Sequence, residues 1–277
     1  MSGVDPNGGG PLLVPGGASA PPEGTGLVSV ADGVLDTPST LAARLAADSA
    51  AVLAASDAAR LTTWDFSSAT GWTLVNGSGG AAITGGLLTF TTASGVSTAA
   101  PNAPSATVAF PSGVDTWRGM DVSVRVATLA TAGGALPTGS VVAWLSITSK
   151  SDGKNSTYSG SDLGVVVTVI PDGSVNAGDY TPTFNARGAS AAGVVLRDGS
   201  DWIRLLFRDG SYSVYAGRGS SRPTSWTRLY SGTIGAVLSS TAAFAQPINI
   251  TLAGYRNSTT AEAIVIAWDD LAVTRLP

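Results

Sequence analysis

The chain has 277 residues, enough for one large β-domain with an appendage or for two small domains. Charged residues make up only 12%, the formal net charge is −4, and only Lys150 and Lys154 are lysines. Scattered arginines on an acidic chain exclude a nucleic-acid partner, which needs clustered basic residues. The absence of cysteine and histidine excludes disulfides and thiolate or imidazole metal sites.

Residues 1–36 are predicted to form an extended arm, because the first 26 or so are rich in glycine and proline. The arm is either a disordered tail or a segment that becomes ordered along a neighbouring subunit. Its start has no basic stretch followed by an apolar run, so we expect no secretory signal. No run of roughly 20 apolar residues follows anywhere in the chain, which predicts no membrane insertion.

Residues 37–61 predict an alanine-rich helix, with Thr37 as N-cap and Pro38 at the first helical position. So few large apolar groups make an isolated helix marginal. We therefore expect either self-association, with a homotrimer as the favoured state, or docking onto the β-domain. The side expected to be buried carries Leu41, Leu45, Asp48, Val52, Ala55 and Ala59.

Residues 62–277 change to short runs of β-branched and aromatic residues that alternate with polar ones and are separated by turn residues. About a dozen strands without intervening helices predict an all-β antiparallel sandwich. The predicted strands are Gly71–Val75, Gly86–Thr92, Ala106–Phe110, Met120–Thr128, Val141–Ser149, Leu163–Ile170, Gly193–Arg197, Trp202–Arg208, Ser211–Ala216, Thr227–Ser231, Ile248–Tyr255 and Ala263–Thr274.

Three segments resemble the concanavalin A-like jelly roll of lectins, laminin G-type modules and many glycan-binding modules. They are WDFSSATGWTLVNGSGGAAITGGLLTF (64–90), DWIRLLFRDGSYSVYAG (201–217) and IVIAWDDLAVTRLP (264–277). The resemblance implies a jelly-roll sandwich over residues 62–277 whose final strand pairs beside its first. The layout of arm, short helix and β-domain also resembles tailed-bacteriophage virion appendages. That likeness implies a virion location, contacts with other virion proteins through the arm and helix, and display of the sandwich toward a host-surface glycan.

The inventory of side chains argues against catalysis. Glu23 and Glu262 are the only glutamates, so the chain cannot form the E-x-D-x-x-E strand that related glucanases use. Asp198 and Asp201 could form a carboxylate pair, but they lie at a turn that explains them equally well. A Ser-His route is closed without histidine, and Tyr158 near the two lysines is the only cluster suggestive of a lyase. The sequence therefore predicts a protein that is not an enzyme.

Calcium is the metal that the sequence could hold, because carboxylate oxygens suit hard cations. If the first and last strands are neighbours, Asp65 could approach Asp269 and Asp270. A structural calcium there is one alternative, and capping of turns or solvent exposure is the other.

Sugar binding would use aromatic faces together with groups that fix hydroxyls. Trp226, Arg222, Arg228 and Tyr230 combine both kinds of side chain in the stretch GRGSSRPTSWTRLY (217–230), and they are the predicted ligand-binding residues. The alternative is that Trp226 anchors a loop or a subunit contact. Other aromatic residues in loop-like sequence are Trp117, Tyr158, Tyr180 and Phe184.

The predicted function is that of a structural component of a phage particle, of minor-tail, tail-tip or fibre type, that displays a sandwich for host-surface or glycan contact. One alternative is a capsid-decorating or head-fibre protein. A second alternative is a stand-alone bacterial carbohydrate-binding module.

Overall fold

The structure, a computed structural model, describes residues 30–31, 34–35, 42–43, 45–51, 61–93, 103–109, 119–135, 141–148, 164–180, 184–208, 211–233, 249–256 and 262–276. The chain divides into two compact units, Met1–Ala58 and Ala59–Pro277. In the first unit, β1 (Val30–Ala31) pairs with β2 (Val34–Leu35), and residues 42–43 and 45–51 are helical with exposed side chains. No helix in the described part of the chain is long and apolar enough to cross a membrane.

The second unit is a sandwich of two antiparallel sheets. The seven-stranded sheet has the order β12-β11-β10-β9-β16-β7-β4. Its strands are β4 (Trp72–Val75), β7 (Ser105–Ala109), β9 (Val141–Thr148), β10 (Gly164–Val169), β11 (Val175–Tyr180), β12 (Phe184–Ala189) and β16 (Asn249–Arg256). The eight-stranded sheet has the order β15-β14-β13-β8-β17-β6-β5, and β3 pairs with β17 beside this series. Its strands are β3 (Leu61–Trp64), β5 (Gly79–Thr84), β6 (Leu87–Thr92), β8 (Met120–Thr131), β13 (Asp201–Arg208), β14 (Ser211–Arg218), β15 (Thr227–Thr233) and β17 (Ile264–Arg275).

The hydrophobic core lies between the sheets because side chains alternate along each strand. In β13, Ile203, Leu205 and Phe207 are buried in this core, whereas Arg204 and Leu206 point to the other side and are partly exposed. Phe66, Phe90 and Trp268 are buried as expected for core aromatics, and Trp64 packs against them partly buried. The final strand β17 pairs with β3 through Leu271 and Trp64, as the jelly-roll resemblance implied.

Eleven of the twelve predicted strand regions are strands of the second unit with ends within a few residues, and the prediction for Gly193–Arg197 is wrong. That segment is a turn in which Gly193 and Arg197 both have positive φ, at 77° and 64°. The apolar run of Val194, Val195 and Leu196 indicated a strand, yet only Val195 is fully buried in the core, while Val194 packs against it partly buried and Leu196 is exposed. Strands β3, β5, β11 and β12 of the second unit were not predicted, because they are short and rich in glycine, alanine, threonine or asparagine.

Candidate functional site

The outer face of the eight-stranded sheet is polar near its middle. On β8, the sequence Asp-Val-Ser-Val-Arg places Asp121, Ser123 and Arg125 on this outer face, while Val122 and Val124 enter the core. The same alternation on a sheet with one solvated face is what antiparallel strands favour. The polar residues of β8 therefore lie outside the core on a rigid strand, where Asp121 and Ser123 are nevertheless buried and Arg125 is partly exposed.

One row of side chains crosses four strands of this face. Ser123 on β8 is the register partner of Arg204 on β13, Arg204 is the partner of Tyr215 on β14, and Tyr215 is the partner of Arg228 on β15. Directly opposite residues of antiparallel strands share a face. With neighbouring strands about 4.8 Å apart, the row extends over about 14 Å.

Two arginines hold a nearly buried carboxylate beside this row. Asp121 is 5% exposed. Its two carboxylate oxygens accept hydrogen bonds from Arg204 Nε at 2.9 and 3.0 Å, and Oδ2 also accepts one from an Arg204 terminal nitrogen at 2.6 Å. A terminal nitrogen of Arg222 lies 3.1 Å from Oδ2, and Arg222 Nε donates to the Ser123 hydroxyl at 2.8 Å. The carboxylate thus fixes both guanidinium groups against the sheet.

Residues 219–226 connect β14 to β15 and fold back over the sheet. The approach is close because Gly217 has no side chain: a Cβ there would lie 2.9 Å from Pro223 Cγ and from Trp226 Cε3. Trp202 Nε1 donates to the Gly219 carbonyl at 3.1 Å and fixes the start of the connection. Trp226 consequently lies over the outer face, half-buried, instead of extending into solvent.

Arg204 is located between two aromatic rings. Its guanidinium carbon lies 5.3 Å from the ring centroids of both Tyr215 and Trp226, within the range of cation–π attraction. We call the whole group the Trp226 patch. It consists of Asp121, Ser123, Arg204, Tyr215, Arg222, Trp226 and Arg228.

The structure brings together three of the four predicted ligand-binding residues, Trp226, Arg222 and Arg228. Tyr230 lies elsewhere, because its register partner Val214 faces the core. Its hydroxyl donates to the Val175 carbonyl of the other sheet, and its ring lies against Gly188. Burial raises the pKa of Tyr230. Tyr230 joins the two sheets at one edge of the sandwich, so we leave it out of the candidate site.

Four members of the patch, Asp121, Ser123, Arg204 and Tyr215, were not predicted. They are contributed by β8, β13 and β14, which were assigned correctly as strands. The polar residues that alternate with apolar ones along these strands were the available signal, but which strands are neighbours could not be read from the pattern. Among the other aromatic candidates, Tyr180 and Phe184 belong to β11 and β12, and Trp117 and Tyr158 lie outside the described residues.

The three aspartates predicted to hold calcium have other partners. Asp65 Oδ1 accepts hydrogen bonds from the Ser67 backbone amide and hydroxyl at 3.0 and 2.6 Å. Asp269 pairs with Arg125, and Asp270 lies 3.2 Å from the same guanidinium. Burial first, and then the Asp270 charge, raise the pKa of Asp269. Among the described residues there is no group of three or more acidic side chains that could hold a metal. Structural calcium therefore stays a prediction, with no ligands assigned to it.

The Asp198 and Asp201 pair also has structural partners. Asp198 Oδ1 accepts from the Ser200 backbone amide at 2.9 Å, and Arg218 donates to Oδ2 at 2.9 Å. Asp201 is 1% exposed and accepts from the Arg197 backbone amide at 2.6 Å. Both carboxylates therefore stabilise the turn before β13, which is the structural explanation considered for them from the sequence.

No protein-family model and no curated protein sequence matches the chain, but solved structures with a similar fold exist. A laminarinase from Flavobacterium sp. UMI-01 is 9% identical, with a TM-score of 0.50 over 77% of this chain and 98% of that one. The CBM2 module of the Lactobacillus casei BL23 phage J-1 evolved Dit is 13% identical, with a TM-score of 0.47 over 78% and 96%. A lectin from Bauhinia forficata in complex with GalNAc is 10% identical, with a TM-score of 0.47 over 78% and 100%.

These comparisons correct the prediction that the chain is not an enzyme. The laminarinase is an enzyme and has the same fold, so the fold does not exclude catalysis. The prediction rested on the absence of histidine, the scarcity of glutamate, one lysine–tyrosine cluster and the single aspartate pair of Asp198 and Asp201, and other aspartates of the chain were not considered. The fold prediction itself is confirmed by the two antiparallel sheets and by the fold that the sandwich shares with the laminarinase. The second unit is a concanavalin A-like jelly-roll β-sandwich.

Proposed function

We propose that the β-sandwich binds carbohydrate through the Trp226 patch. The observation that carries the proposal is the arrangement of Tyr215 and Trp226 on either side of Arg204, beside a row of polar side chains on one sheet. Aromatic rings contact the apolar C–H faces of sugars, and nearby guanidinium and hydroxyl groups hydrogen-bond to sugar hydroxyls.

The patch is also held rigidly before any ligand arrives. Four of its seven residues belong to strands β8, β13 and β14. Arg222 lies outside these strands and is held by its ion pair with Asp121, which also pairs with Arg204. A site built on strands and locked by hydrogen bonds loses little conformational freedom on binding. This preorganisation favours binding of a glycan along the exposed part of the row, from Arg204 to Arg228, because Ser123 is buried.

Replacing Trp226 with alanine tests the proposal. We expect the full chain to lose about tenfold or more in affinity for the glycan it binds, found by screening a glycan array and quantified by calorimetry. Trp226 is half-buried, so its removal should cost less than about 2 kcal/mol of folding stability. Removal of the fully buried Trp268 should cost about 3–5 kcal/mol.

A second variant separates binding from stability. Gly217→Ala removes no functional group but places a Cβ against Pro223 and Trp226, so it should displace the connection and weaken binding. Leu196→Ala is the control, because Leu196 is an apolar residue of 50% exposure outside the patch. Unchanged affinity in both the Trp226 and the Gly217 variants would contradict the proposed site, and absence of binding to any glycan would contradict the function.

We further propose that the sandwich is displayed on a phage particle, with a virion location and with the first unit as its connection to other virion proteins. The support is the order of the chain: a glycine- and proline-rich arm, a helical segment, and a separate compact β-unit. Antibody raised against the chain should label purified virions, at the tail tip for a minor tail protein or on the head for a capsid-decorating one. Absence of label on virions would favour the stand-alone binding module.

A further inference from the structure

The Trp226 patch carries more positive than negative charge. Its described side chains comprise the guanidinium groups of Arg204, Arg222 and Arg228 and the single carboxylate of Asp121. Two excess positive charges on one small surface stand against a formal net charge of −4 for the whole chain. The chain as a whole is therefore acidic, whereas the Trp226 patch is cationic.

Several donors of these arginines have no partner among the residues that the structure describes. Arg204 contacts Asp121 through Nε and one terminal nitrogen. Arg222 contacts Asp121 through one terminal nitrogen and donates from Nε to Ser123. Within the described part of the chain, the second terminal nitrogen of each arginine has no hydrogen-bond partner. The same holds for the whole side chain of Arg228, which is exposed. The patch can thus donate hydrogen bonds to an incoming group without breaking the Asp121 contacts.

The geometry of these donors favours an acid group over a neutral hydroxyl. The planar guanidinium fork matches the two oxygens of a carboxylate or phosphate, and hydrogen bonds between charged partners are roughly twice as strong as neutral ones. Tyr215 and Trp226 flank the same donors, and both side chains are partly exposed. An anionic group attached to a sugar ring would satisfy both features at once.

We infer that the ligand of the Trp226 patch is an anionic glycan, whose acid group is a uronic acid carboxylate or the phosphate of a sugar–phosphate polymer. This inference rests on the proposed carbohydrate-binding function. In this complex the Arg228 side chain contacts the acid group, and Tyr215 and Trp226 contact the sugar.

The test measures Kd of the full chain for polygalacturonate, a phosphomannan and neutral galactan at low and high salt. We expect at least one acidic polymer to bind about tenfold or more tightly than galactan, with an advantage that shrinks as salt rises. The better of the two acidic polymers identifies the acid group. Arg228→Gln should remove most of that advantage. Arg208→Gln is the matched control, because Arg208 is exposed on the same face of β13, about 13 Å along the strand from Arg204.

The outcomes distinguish the inference from the function on which it rests. Galactan binding as tight as that of the acidic polymers, unaffected by Arg228→Gln, would overturn the acidic ligand but leave carbohydrate binding standing. Binding of none of the glycans would overturn both. Single-stranded DNA bound as tightly as the acidic glycans, with the same loss in Arg228→Gln, would show a surface that selects charge alone and would also overturn the inference.

Discussion

Single aspartates two residues before a serine stabilise three turns of the sandwich. In Asp65-Phe-Ser67, Asp172-Gly-Ser174 and Asp198-Gly-Ser200, the aspartate Oδ1 accepts hydrogen bonds from both the serine amide and the serine hydroxyl. These are the local turns that aspartate favours. The serine hydrogen bonds lower the pKa of all three carboxyls below 3.8.

These carboxyls should make the fold sensitive to acid. A carboxyl with a lowered pKa stabilises the fold fully above its unfolded pKa, and that contribution is lost as the pH falls through the lowered value. Asparagine keeps the turn but does not titrate. A variant with asparagine at positions 65, 172 and 198 should therefore lose less free energy of unfolding between about pH 6 and about pH 3 than the parent chain, measured by urea denaturation.

Asp269 provides the control of opposite sign. Because burial raises its pKa, its contribution is present at low pH and is lost as the pH rises through the raised value. Asp269→Asn should make the acid-induced loss steeper than in the parent. Identical pH profiles in all three proteins would contradict the assignment of these titrations.

At the residue scale, the sequence was informative where neighbours along the chain indicate the environment of a side chain. Trp226 and the two arginines near it were found because polar and proline-rich neighbours excluded a strand core. Asp121 and Arg204 were not found, since their pairing joins residues 83 positions apart and depends on β8 lying beside β13. Tyr230 was misplaced because a bulge between Val214 and Tyr215 changes the register of β15, and no local pattern indicates it.

At the scale of elements, two turns of the same sequence type differ in the space around their glycine. Gly173 and Gly199 both follow aspartate, precede serine and have left-handed φ values of 81° and 82°. A Cβ on Gly173 would lie 2.2 Å from the Val195 carbonyl oxygen, whereas the nearest atom to a Cβ on Gly199 is the Ala127 carbonyl oxygen at 4.0 Å. The first turn packs against the connection that contains Val195, and the second has room.

Alanine at the two positions should separate backbone strain from collision. Gly199→Ala should cost about 1–2 kcal/mol of folding stability, the cost of left-handed backbone for a residue with a side chain. Gly173→Ala carries the same strain and also forces a backbone carbonyl to move, so it should cost clearly more. Chemical denaturation measures both. Equal losses would show that the chain around Val195 yields freely and that only the backbone strain matters.

The strands that the sequence predicted well are those with apolar residues at period two, such as β8, β13 and β17. The missed strands β5, β11 and β12 contain many small or polar residues and depend on pairing with a stronger neighbour. Their propensity is weak, and the partner strand stabilises them. The false strand at 193–197 shows the converse, because apolar residues alone do not form a strand where the backbone must turn.

At the scale of the whole molecule, the compact β-unit begins at Ala59, before the predicted boundary at residue 62. The difference matters because β3 (Leu61–Trp64) pairs with β17, and its four residues lie opposite the four from Leu271 to Thr274. Trp64 also makes an edge contact with Trp72, with ring centroids 6.1 Å apart. A sandwich that begins at residue 62 would therefore lack Leu61, the first of the four residues of β3.

Two truncations test where the folding unit begins and what the first unit does. Residues 59–277 should fold as a monomer with the thermal stability of the β-unit in the full chain, because β3 is retained. Residues 65–277 should be less stable by about 2–4 kcal/mol, since they lose the β3 hydrogen bonds and the Trp64 ring contact. The full chain should be a trimer by light scattering, because its exposed helical segment, with Leu45 at 57% exposure, carries too few large apolar groups to be stable alone. Assembly through the first unit would be contradicted by a monomeric full chain or by a trimer that persists in residues 59–277. The role given to β3 would be contradicted by equal stability of the two truncations.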